Sequence, residues 1–141
     1  MKKTTEELLE TLKKENSINH YFNNNTEDFI KSSLSEYLNR LLYEKDINKA
    51  KAIEKSNLNN IYAYEIFSGK KKPSRNKLLQ LIFGMELDLE SSQRLLRLAG
   101  LSPLYPRNKR DSIIIFSINN SLNLLECEEL LEKMNENIIQ L

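Results

Sequence analysis

The chain has 141 residues, of which 40% are hydrophobic and 29% charged, and it contains one Cys and one His. The apolar fraction is sufficient for a core, and the length fits one domain or a small domain with an extension. A single Cys and a single His exclude an internal disulfide framework and a multi-cysteine zinc site, and we predict no cofactor, no metal and no enzymatic activity. No apolar run approaches the roughly 18 residues of a membrane span, and the first residues lack an apolar signal core, so we expect a cytoplasmic protein without membrane contact.

The first 32 residues predict an N-terminal helical arm. Thr4 and Glu7 have the spacing of a capping box at the start of a helix over residues 5–14. Its apolar stripe consists of Leu8, Leu9 and Leu12. A short turn is predicted over residues 17–22, and Thr26 is predicted to cap a further piece of helix.

Apolar residues at three- and four-residue spacing predict a series of short helices between residues 33 and 100. The predicted helices cover residues 34–45, 49–55, 60–67, 75–85 and 89–100. Their boundaries follow from the capping residues Asn48, Asn59, Ser74 and Asp88 and from Gly69 and Gly100.

Residues 101–141 predict a C-terminal helical hairpin extension. Pro103 and Pro106 interrupt the chain, and helices are predicted over residues 113–118 and 123–134. Arg75, Leu87, Leu89, Leu95 and Leu96 recur 35 residues later as Arg110, Leu122, Leu124, Leu130 and Leu131. Five identities in leucine-rich helices fit either an internal duplication or chance. No strand-like alternation occurs, so the fold class is all-α.

The charge is unevenly distributed although the total is only +1. Residues 33–85 carry 10 Lys or Arg against 5 Asp or Glu, while residues 1–32 and 86–141 are both net acidic. A basic segment is the first electrostatic requirement of a nucleic-acid face. The richness in Asn, Lys and Ile is typical of AT-rich bacterial coding sequences.

Two short helices around the turn at residues 56–58, followed by Gly69 and a basic loop, form a helix-turn-helix pattern. Asn57 tolerates the left-handed backbone that the turn needs. From Asn48 to Ser74 the sequence resembles the Cro/cI repressor-type (XRE-like) helix-turn-helix family. The resemblance is carried by Leu58-Asn59-Asn60-Ile61-Tyr62-Ala63-Tyr64-Glu65-Ile66-Phe67 and by Gly69-Lys70-Lys71-Lys72-Pro73-Ser74.

This resemblance implies a five-helix domain over residues 33–100 that binds the major groove of double-stranded DNA, as a homodimer on a palindromic site. The implied base-reading residues are Asn59, Asn60, Ile61 and Glu65. The implied phosphate-binding residues are Lys49, Lys70, Lys71, Lys72 and Arg75. Asn pairs with adenine and Ile contacts a thymine methyl, whereas lysines hold the backbone.

Two functions follow from these observations. The first is a sequence-specific DNA-binding transcriptional regulator. The second is a non-enzymatic protein-interaction module, such as an antitoxin, a mobile-element inhibitor or a signalling adaptor, that keeps the fold without specific DNA binding. Glu65, which is acidic on a face expected to meet DNA, and Phe67 motivate the second reading. The acidic extension over residues 101–141 is a candidate surface for dimerisation or for a protein partner.

Overall fold

The structure is a computed structural model that describes residues 4–14, 17–18 and 33–140. All regular secondary structure in these residues is helical, which confirms the all-α prediction. The helices are α1 (Thr5–Lys14), α2 (Leu34–Glu44), α3 (Lys49–Ser56), α4 (Asn60–Ser68), α5 (Arg75–Gly84), α6 (Leu89–Leu98), α7 (Lys109–Asn119) and α8 (Leu124–Lys133).

The chain divides into two compact units, residues 1–31 and residues 32–141. In the first unit, α1 has the predicted bounds, and the hydroxyl oxygen of Thr4 accepts the backbone N–H of Glu7 at 3.1 Å. None of the residues of α1 is buried. Residues 19–22 of the predicted turn and the predicted cap at Thr26 lie outside the described residues.

Side-chain caps fix where the helices of the second unit begin. Each cap accepts the backbone N–H of the residue three positions later, which satisfies one of the free donors of the first turn. The caps are Ser33, Asn48, Asn59, Ser74, Asp88, Asn108 and Asn123. Six helices therefore start within a residue of the predicted position, because capping chemistry is local and readable from the sequence.

Helix α7 is longer than predicted. It begins at Lys109 rather than at residue 113, and the Asn108 side chain accepts the N–H of Asp111 at 2.9 Å. The charged first turn carries no apolar period, so only the following isoleucines signalled the helix. The structure shows why a charge is acceptable there, since Asp111 is buried but ion-paired.

One continuous core joins all the helices of the second unit. Helix α3 packs against α5, and α2 packs against α4 and α6. Leu104, Ile114, Leu131 and Ile139 are buried in the same core. Residues 101–141 are thus part of the compact unit that includes residues 33–100, whereas the sequence placed a domain boundary between them.

The α5–α6 and α7–α8 hairpins correspond at the 35-residue offset seen in the sequence. The bounds of α6 and α8 differ by 35 residues at both ends, and so do the two turn residues with positive φ, Glu86 and Ser121. Helix α5 packs against α8 and α6 against α7, so exchanging the two hairpins reproduces the same contacts. The two hairpins therefore correspond in the spacing of their elements and in their packing partners.

Candidate nucleic-acid interface

The helix-turn-helix consists of α3, the turn over residues 57–59, and α4. Asn57 has φ 58° and ψ 24°, which is the left-handed conformation predicted for it. Leu58 is buried beneath the turn, and its backbone N–H donates to the hydroxyl of Ser56 at 3.2 Å. The buried leucine and this hydrogen bond hold the two helices at a fixed angle.

Helix α4 is anchored by its rear face and exposes its front face. Ala63, Ile66 and Phe67 are buried, as predicted. Asn60 is exposed, and Ile61 keeps 73% of its surface in solvent. Single exposed apolar side chains are common on protein surfaces, so the exposure of Ile61 shows that it is accessible and does not by itself identify a partner. The geometry therefore leaves Asn60 and Ile61 free to contact a partner.

Asn59 and Glu65 are placed less favourably for reading bases. The side-chain oxygen of Asn59 caps α4 by accepting the N–H of Tyr62 at 3.2 Å. A two-bond contact with adenine needs that oxygen as well as the amide N–H group. Glu65 is half-buried beside Lys49 and Tyr64 in a shallow depression on the face of α4.

Lys49 lies across the two helices rather than extending into solvent. Its ammonium is 5.1 Å from the ring centre of Phe67 and 5.8 Å from that of Tyr64. Such cation–π contacts orient the charge toward the α4 face. Lys49 thus helps to join α3 to α4, with its positive charge beside the exposed front of α4.

The loop after α4 carries Lys70, Lys71 and Lys72, all exposed. The carbonyl oxygen of Glu65 accepts the backbone N–H groups of Lys70 and Lys71, at 2.9 and 3.1 Å, which fixes the start of the loop. Within the part of the chain that the structure describes, none of the three ammonium groups is in an ion pair. Their charges are available to an anionic partner.

Arg75 has a different role from the predicted phosphate contact. Its guanidinium donates to both carboxylate oxygens of buried Asp111, at 3.0 and 2.9 Å. It also donates to the carbonyl oxygens of Ser102 and Pro103, at 2.9 and 3.2 Å. Because this charge is neutralised and its donors are occupied, we leave Arg75 out of the proposed DNA contacts.

Sequence reasoning missed Asn39, which lies beside the exposed face of α4. The side-chain amide of Asn39 donates to the carbonyl oxygens of Ser35 and Phe67, both at 2.8 Å, and so fastens α2 to the end of α4. The pattern offered no signal for Asn39, because its partner lies 28 residues away in the chain.

Other chemistry is sparse in the described ranges. They contain no cluster of three or more His, Cys, Asp or Glu side chains placed to hold a metal ion. Burial raises the pKa of the Cys127 thiol, which disfavours the reactive thiolate. Among the helices described, none combines the length and apolar character needed to cross a bilayer.

Comparison with protein-family models, with curated proteins and with solved structures found no match for this chain.

Proposed function

We propose that this protein is a sequence-specific DNA-binding regulator of the Cro/cI repressor type, in which residues 33–100 supply the five-helix domain and α4 enters the major groove. The observation that carries the proposal is the front of α4. Asn60 and Ile61 are exposed at the start of a helix whose rear face is fixed in the core. The unpaired Lys70–Lys72 loop follows directly at its other end.

In this proposal, the groups on this surface make different contacts with DNA. The Asn60 amide pairs with the N6 and N7 atoms of an adenine, and Ile61 packs against a thymine methyl group. Lys70, Lys71 and Lys72 bind phosphates, which sets the register without reading sequence. Two copies bind the two halves of a palindromic operator as a homodimer.

Charge reversal in the basic loop tests the proposal. We expect Lys70→Glu with Lys71→Glu to abolish specific binding in fluorescence anisotropy against DNA tiled across the upstream region of the protein's own coding sequence. Each lost phosphate contact should also reduce the salt-dependence slope by about 1. Circular dichroism checks that the variant remains helical.

The matched control is Arg97→Glu with Lys133→Glu, which changes the net charge equally at exposed positions on α6 and α8. It should retain binding to the same tile. Equal losses in both double variants, or wild-type binding that is the same on every tile and absent at about 200 mM salt, would contradict a specific regulator.

The exposed apolar surface of α4 favours a second candidate function, a protein-interaction module. Ile61 and Tyr64 are 73% and 47% exposed on the same helix, and protein interfaces are enriched in such apolar and aromatic residues. In that case Ile61→Asp should remove biological activity, whereas the Lys70 and Lys71 reversal should leave it intact. The DNA regulator requires both surfaces.

A further inference from the structure

Residues 137–140 form a short segment without regular secondary structure, here called the strap, that is bound to the second hairpin. Ile139 is fully buried. The guanidinium of Arg110 donates to the carbonyl oxygens of Asn137 and Ile138, at 2.8 and 3.2 Å. The carboxylate of Glu128 accepts the backbone N–H of Gln140 at 2.7 Å. The strap thus has an apolar anchor and three polar ones.

The first hairpin holds an equivalent segment in the same way. Arg75 donates to the carbonyl oxygens of residues 102 and 103, 35 positions before those that Arg110 binds. Gln93, 35 positions before Glu128, binds the backbone N–H and carbonyl of Leu104, at 2.7 and 2.8 Å. An arginine that donates to two successive backbone carbonyl oxygens therefore occurs in both hairpins and is a repeated feature of this fold.

The two segments differ by the exchange of Gln93 for Glu128 and by a shift of one residue, because Glu128 binds the backbone of Gln140 and not that of Ile139. Gln93 uses both ends of its amide on the backbone of Leu104. Glu128 cannot donate, and its second oxygen instead accepts the side-chain amide N–H of Gln140. The carboxamide oxygen of Gln140 is left to accept from the side-chain amide of Asn57.

Asn57 is the left-handed residue in the turn of the helix-turn-helix, two positions before the cap of α4. Gln80 of α5 donates to the carbonyl oxygen of the neighbouring Ser56 at 3.0 Å. The turn is therefore held by contacts from both α5 and the strap. Because Asn60 and Ile61 follow at once, the position of the turn sets where they lie.

We propose that Gln140 is a positioning residue, which links the strap to Asn57 and thereby fixes the start of α4 for its partner. A segment 83 residues away in the chain then controls the geometry of the helix that contacts the ligand. The effect on DNA affinity rests on the proposed function. The effect on the turn does not.

The test replaces Gln140 by Met, which keeps the side-chain length and removes both amide contacts. Backbone amide hydrogen exchange, measured without DNA, should become faster at residues 57–62. If DNA binds as proposed, its affinity should fall about fivefold, the value of one ordinary hydrogen bond. The matched control is Gln93→Met, which loosens the equivalent segment in the first hairpin and should leave exchange at residues 57–62 unchanged.

A double-mutant cycle with Asn57→Gly isolates the bond, because Gly accepts the left-handed backbone and lacks the amide. In the Asn57→Gly protein, Gln140→Met should have no further effect on exchange in the turn. If Gln140→Met is too unstable to study, the bond is tested from the turn side alone, where Asn57→Gly should exchange faster than wild type at residues 58–62.

Unchanged exchange at residues 57–62 in Gln140→Met, or equal acceleration in Gln140→Met and Gln93→Met, would overturn the proposal. If wild-type protein binds no DNA while the turn responds as expected, the proposed function fails and the positioning role stands. If DNA binds but exchange in the turn is unchanged, the positioning role fails and the proposed function stands.

Discussion

Gly84 is a point of close approach between α5 and α3. A Cβ atom added there would meet the backbone nitrogen of Ser56 at 2.8 Å and the carbonyl oxygen of Ala52 closer still. These are backbone atoms and cannot move aside as a flexible side chain would. The absence of a side chain at residue 84 therefore sets the distance between the helix-turn-helix and the rest of the core.

We expect Gly84→Ala to destabilise the protein by about 1–3 kcal/mol, because the crowded contact outweighs the roughly 1 kcal/mol of helix propensity that Ala gains. Urea unfolding followed by circular dichroism measures the change. Gly100→Ala is the comparison, since nothing lies within 4 Å of its added Cβ and only its φ of +72° is strained. A Gly84→Ala protein as stable as wild type would refute the close approach.

At the scale of elements, four of the turns between helices share one pattern. A residue with positive φ is followed by an apolar residue and then by the Asn or Asp that caps the next helix. The four turns are Asp46-Ile47-Asn48, Asn57-Leu58-Asn59, Glu86-Leu87-Asp88 and Ser121-Leu122-Asn123. None has Gly at the left-handed position. Asp46 and Asn57 tolerate this conformation, whereas Glu86 and Ser121 carry backbone strain that Gly would relieve.

Ser121→Gly should stabilise the protein by about 1 kcal/mol, since Ser121 has φ 56° and is exposed. The corresponding rise in Tm is about 4 °C for a folding unit of this size. Asn120→Gly is the neighbouring control. With φ −103° it has no such strain to relieve, and it should lower the Tm. A fall in Tm for Ser121→Gly would contradict the strain argument.

At the scale of the whole second unit, the α7–α8 hairpin completes the core of the helix-turn-helix region. Asp111 neutralises Arg75 of α5, and the strap reaches the turn before α4. Removing the hairpin would expose buried apolar residues of α5 and α6 and leave the Arg75 guanidinium without its carboxylate.

We expect residues 33–141 to unfold cooperatively on heating, whereas residues 33–100 alone should show a much lower Tm or no transition. Differential scanning calorimetry of the two fragments makes the comparison. A fragment 33–100 that melts within a few degrees of the longer one would show that it is an independent domain, as the sequence predicted.

Much of the local structure was predictable because it depends on neighbours in the chain. Capping by Asn48, Asn59 and Ser74, the left-handed Asn57 and the apolar rear face of α4 are all signalled within a few residues. The helical spacing of the apolar residues in α4 also predicts its exposed front face, and the three lysines after Gly69 mark the basic loop. The base-reading and phosphate-binding roles of these residues stay predictions until DNA binding is measured.

The sequence by itself determined the helical class, the start of most helices and the two short helices around the left-handed Asn57. Only the tertiary structure shows that Arg75 forms an ion pair with Asp111 and that α3 packs closely against Gly84. It also shows that Gln140 accepts a hydrogen bond from Asn57. These contacts join residues far apart in the chain, and periodicity records which face of a helix is buried but not what covers it. The sequence alone therefore does not show that a charged side chain such as Arg75 is already paired with a distant residue.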